Sequence, residues 1–452
     1  MKNAPSPESL FKTLKAENEP WLGEVFIPLP AFERLKEGHS TILYGETGSG
    51  KTAMRLALKR EKQENVFTAL WLPEPILENP AEGTALAQQA MKQATRACLE
   101  GLILEGSLPE RLGEPSSHIA SALQWFLKNY LPFDPAFYIQ SQTDNLSAAE
   151  TQWYLKLLEQ PFPAVVTEQA SLRDQIRLLL MILRAAKYEQ LWLTIDGLER
   201  WTPRQTGEQV EALLDAVLST LVFFDLPNVA FKFFLPASLK SILHKTSGVE
   251  RHRAEEVPLT WSAEDLKAML EKRITYALSS SKKVTLEALC ESGEFLKWLG
   301  EYGGASPRAW LEFTAPLVAE YQRQGKRLSA AQTREFIRQH PAPLRLDRER
   351  REIWLGRKCV PVGSAPEFRV LEYLALRPGK IGSLEELYYY AYKELETVPD
   401  KGEPAWTSKD TWRAAMDTLL WRVRQKIEPN PKEPIYLITH HGKGLELLHA
   451  EA

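Results

Sequence analysis

Short, unbroken apolar runs punctuate the chain, each followed by a polar or glycine-rich stretch. Residues 40–44 (STILY) lead into a glycine-rich loop, and 53–59 then open a helix. Residues 191–195 (LWLTI) end in Asp196, and 229–235 (VAFKFFL) form another such run. Apolar residues at consecutive rather than alternate positions are what strands covered on both faces require, as in a parallel sheet. Helical spacing at 208–221 separates the last two runs, so the order is strand, helix, strand. From about 80 to 187 the spacing is mostly helical, with periodic stretches at 85–104 and 172–186 broken by proline-rich loops. This predicts a long helical insertion between the first strand and the next clear one.

Helical spacing resumes at 262–278 and continues from 293 to 340, and the prolines of 341–343 (PAP) mark a linker because they cannot continue a helix. Beyond it, 344–347 and 352–356 alternate as strands, and 367–376, 384–395 and 409–427 carry helical periodicity. The sequence then closes with a β-hairpin, 435–439 and 445–448 around the glycine-bearing turn 440–444. The expected architecture is therefore an α/β core with its helical insertion over 1–260, which the loop GETGSGKT at 45–52 marks as a P-loop NTPase, then a helical lid over 261–340 and an α+β winged helix-turn-helix over 344–452.

Composition narrows the class. The 452 residues, 44% hydrophobic and 25% charged, have the balance of a soluble globular protein with two or three domains. The net charge of −3 supplies no whole-chain attraction to phosphate, so any nucleic-acid affinity must come from a local patch. Cys98, Cys290 and Cys359 lack the spacing of a zinc site or a disulfide framework, which fits a reducing cytoplasm. No apolar segment suited to secretion or to spanning a bilayer is present, so no membrane partner is expected.

The loop Gly45-Glu46-Thr47-Gly48-Ser49-Gly50-Lys51-Thr52 carries the most specific chemistry. Its glycines let the backbone N–H groups close on phosphates, Lys51 supplies a point charge for the β- and γ-phosphates, and the Thr52 hydroxyl ligates Mg²⁺. ATP, or alternatively GTP, is the implied ligand. Asp196 stands at the end of an apolar strand, where the second acidic group for the metal belongs; its bland reading is a helix cap. Gly197 follows it where related ATPases often carry a water-orienting glutamate, and Glu199 is the substitute. Slow hydrolysis, suited to a switch rather than a motor, is the expectation. Arg308, in GGASPR at 303–308, opens a helix from which a guanidinium could reach a γ-phosphate; equally, it is a surface arginine after a helix-starting proline. Ser238 lies just past a strand end, at a possible sensor position.

The order of phosphate loop, helical insertion, LTIDGLER, FKFFLPASL, PLTWSAEDLKAMLEKRI and GGASPRAWLEF resembles the STAND and AAA+ branch of the P-loop ATPases over roughly residues 20–339. The resemblance implies a core ATPase, a helical lid carrying an arginine such as Arg308, and nucleotide-dependent self-association. The Asp196-Gly197 pair is more similar to STAND signalling ATPases than to the paired acids of AAA+ motors.

The stretches IWLGRKCVPVGSAPEFRVLEYLALRPGKIGSLEEL and LLWRVRQKIEPNPKEPIYLITHHGKGLELL resemble the effector domain of OmpR/PhoB-type response regulators. That resemblance implies double-stranded DNA as partner. It places Arg422 and Arg424 on the groove-entering helix, with Lys426 continuing the basic face, and Thr439, His441 and Lys443 on the wing. Trp421 departs from the pattern, standing directly before Arg422 where many members carry a polar or basic residue.

Together these readings lead to an ATP-dependent switch that controls a DNA-binding winged helix, most simply a transcriptional regulator. Two others share the parts: an oligomeric DNA-loading, replication or transposition ATPase, and a signalling or defence ATPase whose winged helix binds protein.

Overall fold

In the computed structural model, which describes residues 10–11, 15–61, 64–74, 83–161, 171–198, 226–243 and 254–451, the three apolar runs belong to one parallel sheet. Its strands are β1 Ser40–Gly45, β2 Val66–Trp71, β3 Gln190–Ile195, β4 Val229–Pro236 and β5 Ala254–Pro258, in the spatial order β2-β3-β4-β1-β5. The central strands β1, β3 and β4 are buried almost continuously, which is why they are legible as unbroken apolar runs. β2 and β5 were not anticipated. Both are edge strands: β2 alternates buried and half-buried positions, and β5 carries Glu255 and Glu256. A strand with a neighbour on one side only needs less apolar surface, so its periodicity is weak.

Lys232 sits in the middle of β4 and is fully buried. Its ammonium donates to the carbonyls of Glu37 and His39, both at 2.6 Å, and lies over the Trp192 ring at 5.0 Å. Burial pulls its pKa down to about 8.

The first helix after β1 is α1, Lys51–Arg60. Because β2 follows it directly, the long helical insertion lies between β2 and β3, not between the first strand and the next. Its main helices are α2 Gly83–Leu104, α3 Ser117–Tyr130, α4 Ala148–Glu159 and α5 Leu172–Ala185. They share one hydrophobic core with the sheet, where Phe67 of β2 joins Leu99, Leu102, Phe126, Tyr154 and Leu183. Gly101 brings α2 close to β2: a Cβ there would meet Phe67 Cζ at 3.3 Å. The helix expected at 208–221 lies outside the described residues.

The chain divides into two compact units, Lys15–Thr260 and Trp261–Ala452 with Met1–Leu14. The second begins with α6 Ala263–Ala277, α7 Ser292–Gly303, α8 Pro307–Gln324 and α9 Ala330–Gln339. Residues 341–343 belong to no regular element, yet they are built into the fold. Ala342 is buried, its carbonyl accepts from the Tyr436 hydroxyl at 2.6 Å, and the Pro343 carbonyl accepts from Gly356 N–H at 2.8 Å.

After them come β6 Leu344–Asp347, β7 Glu352–Leu355, β8 Lys358–Val360, α10 Ala365–Ala375, α11 Leu384–Tyr388, α12 Lys409–Ile427, β9 Leu437–His440, β10 Gly444–Leu447 and β11 Ala450–Glu451. β9 and β10 form the hairpin. β8 and β11 went unnoticed because they are only a few residues long; β11 pairs in parallel with β6 and completes a four-stranded sheet, β11-β6-β7-β8. α11 starts with a capping box between Ser383 and Glu386 and runs on as a π-helical turn, Tyr389–Lys393.

Two buried carboxylates hold the end of this unit. Glu428, just past α12, accepts from the backbone N–H groups of Ile435 and Leu437 at 2.7 Å each and of Tyr436 at 3.1 Å. Glu367 on α10 accepts from Gly363 N–H at 2.8 Å and from the Lys426 ammonium at 2.6 Å. The hairpin is clamped again at Gly444, where φ is +141° and a Cβ would lie 2.7 Å from the carbonyl carbon of Gly382. There Leu445 and Gly382 exchange backbone hydrogen bonds of 2.8 and 2.9 Å. Gly444→Ala must push the hairpin off α11, and overpacking of this kind costs about 1–3 kcal/mol. Urea unfolding is expected to show that loss; an unchanged midpoint would mean the contact is not made.

Candidate functional site

The loop between β1 and α1 turns at Gly48 and Gly50, whose φ values of +83° and +93° lie in the region glycine enters without strain. Gly50 is the N-cap of α1, so the helix opens at Lys51 and Thr52 with no acidic residue in its first turn to oppose an anion. Glu46 and Thr47 are exposed, Gly48, Gly50 and Thr52 half-buried, and Gly45, Ser49 and Lys51 buried. The Lys51 ammonium curls back over the loop and donates to the carbonyls of Gly45 at 2.9 Å and Glu46 at 3.1 Å. Gly45 has no room for a side chain, because a Cβ would run into Ser49 Oγ and come within 3.3 Å of Leu259 Cβ. The loop has the shape and the donors that a phosphate cradle would need.

Asp196 reaches this cradle from the end of β3, with β4 lying between β3 and β1 in the sheet. Register places Ile195 beside Phe233, and Pro236 beside Gly45. The Asp196 carboxylate is buried, and its Oδ2 accepts from Thr52 Oγ1 at 3.1 Å. The structure thus brings together the hydroxyl and the acid that the sequence singles out. These are hard oxygen donors, the kind a Mg²⁺ site uses, and they would hold the ion beside the phosphates. Among the described residues, the helix-cap reading of Asp196 is represented by one backbone contact, from Gly197 N–H to Oδ1 at 2.8 Å; the residues after 198 lie outside the described ones.

Arg55 was missed. It is buried on α1, and its Nε donates to the same Asp196 Oδ2 at 2.8 Å. The available signal was its position one turn past Thr52, on a helix face that also buries Met54 and Leu58. Glu199 lies outside the described residues. Ser238 is exposed, in a 3-10 turn, Ala237–Leu239, just after β4.

Arg308 stands in the first turn of α8, in the other unit from the phosphate loop. One turn on, burial raises the pKa of Glu312, and Arg308 and Arg357 partly offset the rise.

The residues expected to touch DNA have unequal circumstances. Arg422 is exposed on α12, as are His441 and Lys443 in the hairpin turn. Arg424, by contrast, is half-buried and straps α12 to the hairpin, donating to Leu437 O at 3.0 Å and Thr439 Oγ1 at 2.6 Å. Lys426 neutralises the buried Glu367. The exposed face of α12 instead presents Arg413, Asp417 and Trp421 at four-residue spacing, with Trp421 63% exposed. Between α12, the hairpin and the start of α11 lies a groove of about 680 Å³, whose lining includes Trp406, Arg413, Trp421, His441 and Lys443.

Among the described residues, Glu37, His39 and Glu255 are the one cluster with metal-ligand character, and Arg34 already bonds both carboxylates. None of the described helices is long and apolar enough to cross a membrane.

No family model matches the sequence, and no curated protein matches it. Among solved structures, the ORC2 protein of Aeropyrum pernix, determined as ADPNP-ADP complexes, aligns with a TM-score of 0.34 at 12% identity, covering 93% of this chain and 88% of its own. Cdc6p from Pyrobaculum aerophilum aligns with a TM-score of 0.29 at 11% identity, covering 100% and 92%. The assignment of a P-loop NTPase core rests on the sheet, the loop and the Thr52–Asp196 contact, not on these alignments.

The geometry makes Asp196 a structural residue as well as a candidate metal ligand. Asp196→Ala leaves the Arg55 guanidinium buried without its counter-charge, a change that typically costs about 3–5 kcal/mol. Denaturant unfolding should show that loss. The double variant Arg55→Met/Asp196→Ala should recover part of it, and a single variant as stable as the parent would overturn the role given to the pair.

Proposed function

We propose that the chain is an ATP-dependent switch that governs engagement of double-stranded DNA through a C-terminal winged helix. The observation that carries the nucleotide half is the preformed phosphate loop, with Lys51 over it and Thr52 bonded to Asp196. ATP with Mg²⁺ is the ligand this donor set fits best. Gly197 in place of an acid supports slow turnover, and a lid built from residues 261–340 with Arg308 would couple nucleotide state to assembly.

The DNA half is supported by the order of α10, α11, α12 and the β9–β10 hairpin, which is that of a winged helix over 344–452. Its duplex-facing groups are Arg413 on α12 with His441 and Lys443 on the wing, which line one groove; Arg422 lies on the other side of α12 from Arg413. Arg424 and Thr439 act one step behind, holding helix and wing in register, while Lys426 ties α12 to α10 through Glu367. Trp421, exposed on the same face, supports the alternative of a protein partner.

No comparison supports a transcriptional regulator or a STAND signalling ATPase as such, so the proposal stays at the level that the DNA readings share. Genome-wide DNA capture with the full chain, with and without ATP, tests the proposal. Site-specific footprints mark a regulator, ATP-dependent rings or filaments on any duplex mark a loader, and no DNA in either condition moves the function to protein contacts.

Two variants test the halves separately. Lys51→Ala removes the phosphate charge and should abolish tight ATP binding in calorimetric titration while the fold persists; parent-like affinity would remove the nucleotide reading. Arg413→Ala with Lys443→Ala should weaken duplex binding by on the order of a hundredfold, at about 1–3 kcal/mol per base contact, and leave ATP binding intact. If the lost contacts are to phosphates, the salt dependence becomes shallower; if they are to bases, discrimination between sequences falls. Unchanged duplex affinity would exclude this face.

A further inference from the structure

The pairing of Arg55 with Asp196 alters what a divalent cation can contribute at this site. Asp196 Oδ2 already receives the Thr52 hydroxyl at 3.1 Å and the Arg55 guanidinium at 2.8 Å, while Oδ1 receives Gly197 N–H at 2.8 Å. The side chains of Arg55 and Asp196 are 6% and 4% exposed, so solvent does not screen the pair. A guanidinium keeps its charge under all ordinary conditions, and its bond to a carboxylate is directional. The carboxylate that should draw a metal ion toward the phosphates is therefore offset by a fixed cation one helical turn from the hydroxyl that would ligate the metal.

A cation entering between Thr52 and Asp196 meets a neutral ion pair in place of a free negative charge. Its attraction to the protein is correspondingly weaker. The phosphates, for their part, are held by Lys51 and the N-terminus of α1, neither of which needs the metal.

We propose that Arg55 is a positioning residue that holds Asp196 as its counter-ion, so that nucleotide binding by this chain depends only weakly on Mg²⁺. Removing Arg55 frees the carboxylate for the metal and makes affinity strongly Mg²⁺-dependent. The inference rests on the nucleotide reading above and concerns how that same site is regulated.

The test is equilibrium titration of the full chain with a fluorescent ATP analogue, in Mg²⁺ and in EDTA. The parent affinity should differ by less than about threefold between the two conditions, and that of Arg55→Met by roughly tenfold or more, with tighter binding in Mg²⁺. Arg55→Lys, which keeps a cation at this position, should stay close to the parent ratio; a merely structural role for Arg55 would change affinity or stability without changing the ratio. The parent measurement stands alone if Arg55→Met fails to fold: a parent affinity tenfold weaker in EDTA overturns the proposal. So does an Arg55→Met ratio equal to the parent's. Absence of binding in both conditions overturns the nucleotide reading and this inference with it, an outcome distinct from binding that is metal-dependent in the parent.

Discussion

The buried carboxylate of Asp196 is the point on which the nucleotide core depends. It lies at the end of β3, two strands from β1, and bonds two residues of the helix that follows β1, Thr52 and Arg55. A parallel sheet aligns the ends of its strands, so a short acid after one strand comes level with a glycine loop after another. The sheet positions the acid, and the ion pair with Arg55 sets its orientation. Without a partner, a charge so deeply buried would cost several kcal/mol, so the same contact serves stability and site geometry together.

The C-terminal segment uses the same principle. Glu428 and Glu367 are buried carboxylates that gather backbone N–H groups and Lys426 around the ends of α10 and α12. Together with the Arg424 strap, they fix where the β9–β10 hairpin stands relative to α12. Charges that look like a DNA-facing basic stripe in the sequence are partly consumed by this internal work. What remains outward is a mixed face of arginine, aspartate and tryptophan, flanked by the histidine and lysine of the hairpin turn.

Legibility followed burial. β1, β3 and β4 are covered on both sides and read as apolar runs, whereas β2 and β5 at the edges do not, so the helical insertion was placed one strand too early. The glycine-rich loop after β1 is local, eight consecutive residues turned at Gly48 and Gly50, so its motif stands in consecutive positions of the sequence. α12 was recovered with both its ends, since its buried positions, among them Trp412, Met416, Leu419 and Val423, repeat at helical spacing.

The sequence by itself determined the local matters: which segments form the central strands and long helices, which glycine-rich loop opens the helix after β1, and which aspartate follows a buried strand. Tertiary structure alone decided how charges are partnered. That Arg55 pairs with Asp196 across 141 positions, Lys426 with Glu367 across 59, and Arg424 with the wing, depends on which elements pack side by side. The reason is physical. Backbone propensity and apolar periodicity act over one or two turns and leave their imprint in consecutive residues, whereas an ion pair needs only that two groups meet in space, and nothing in the intervening chain records that they will.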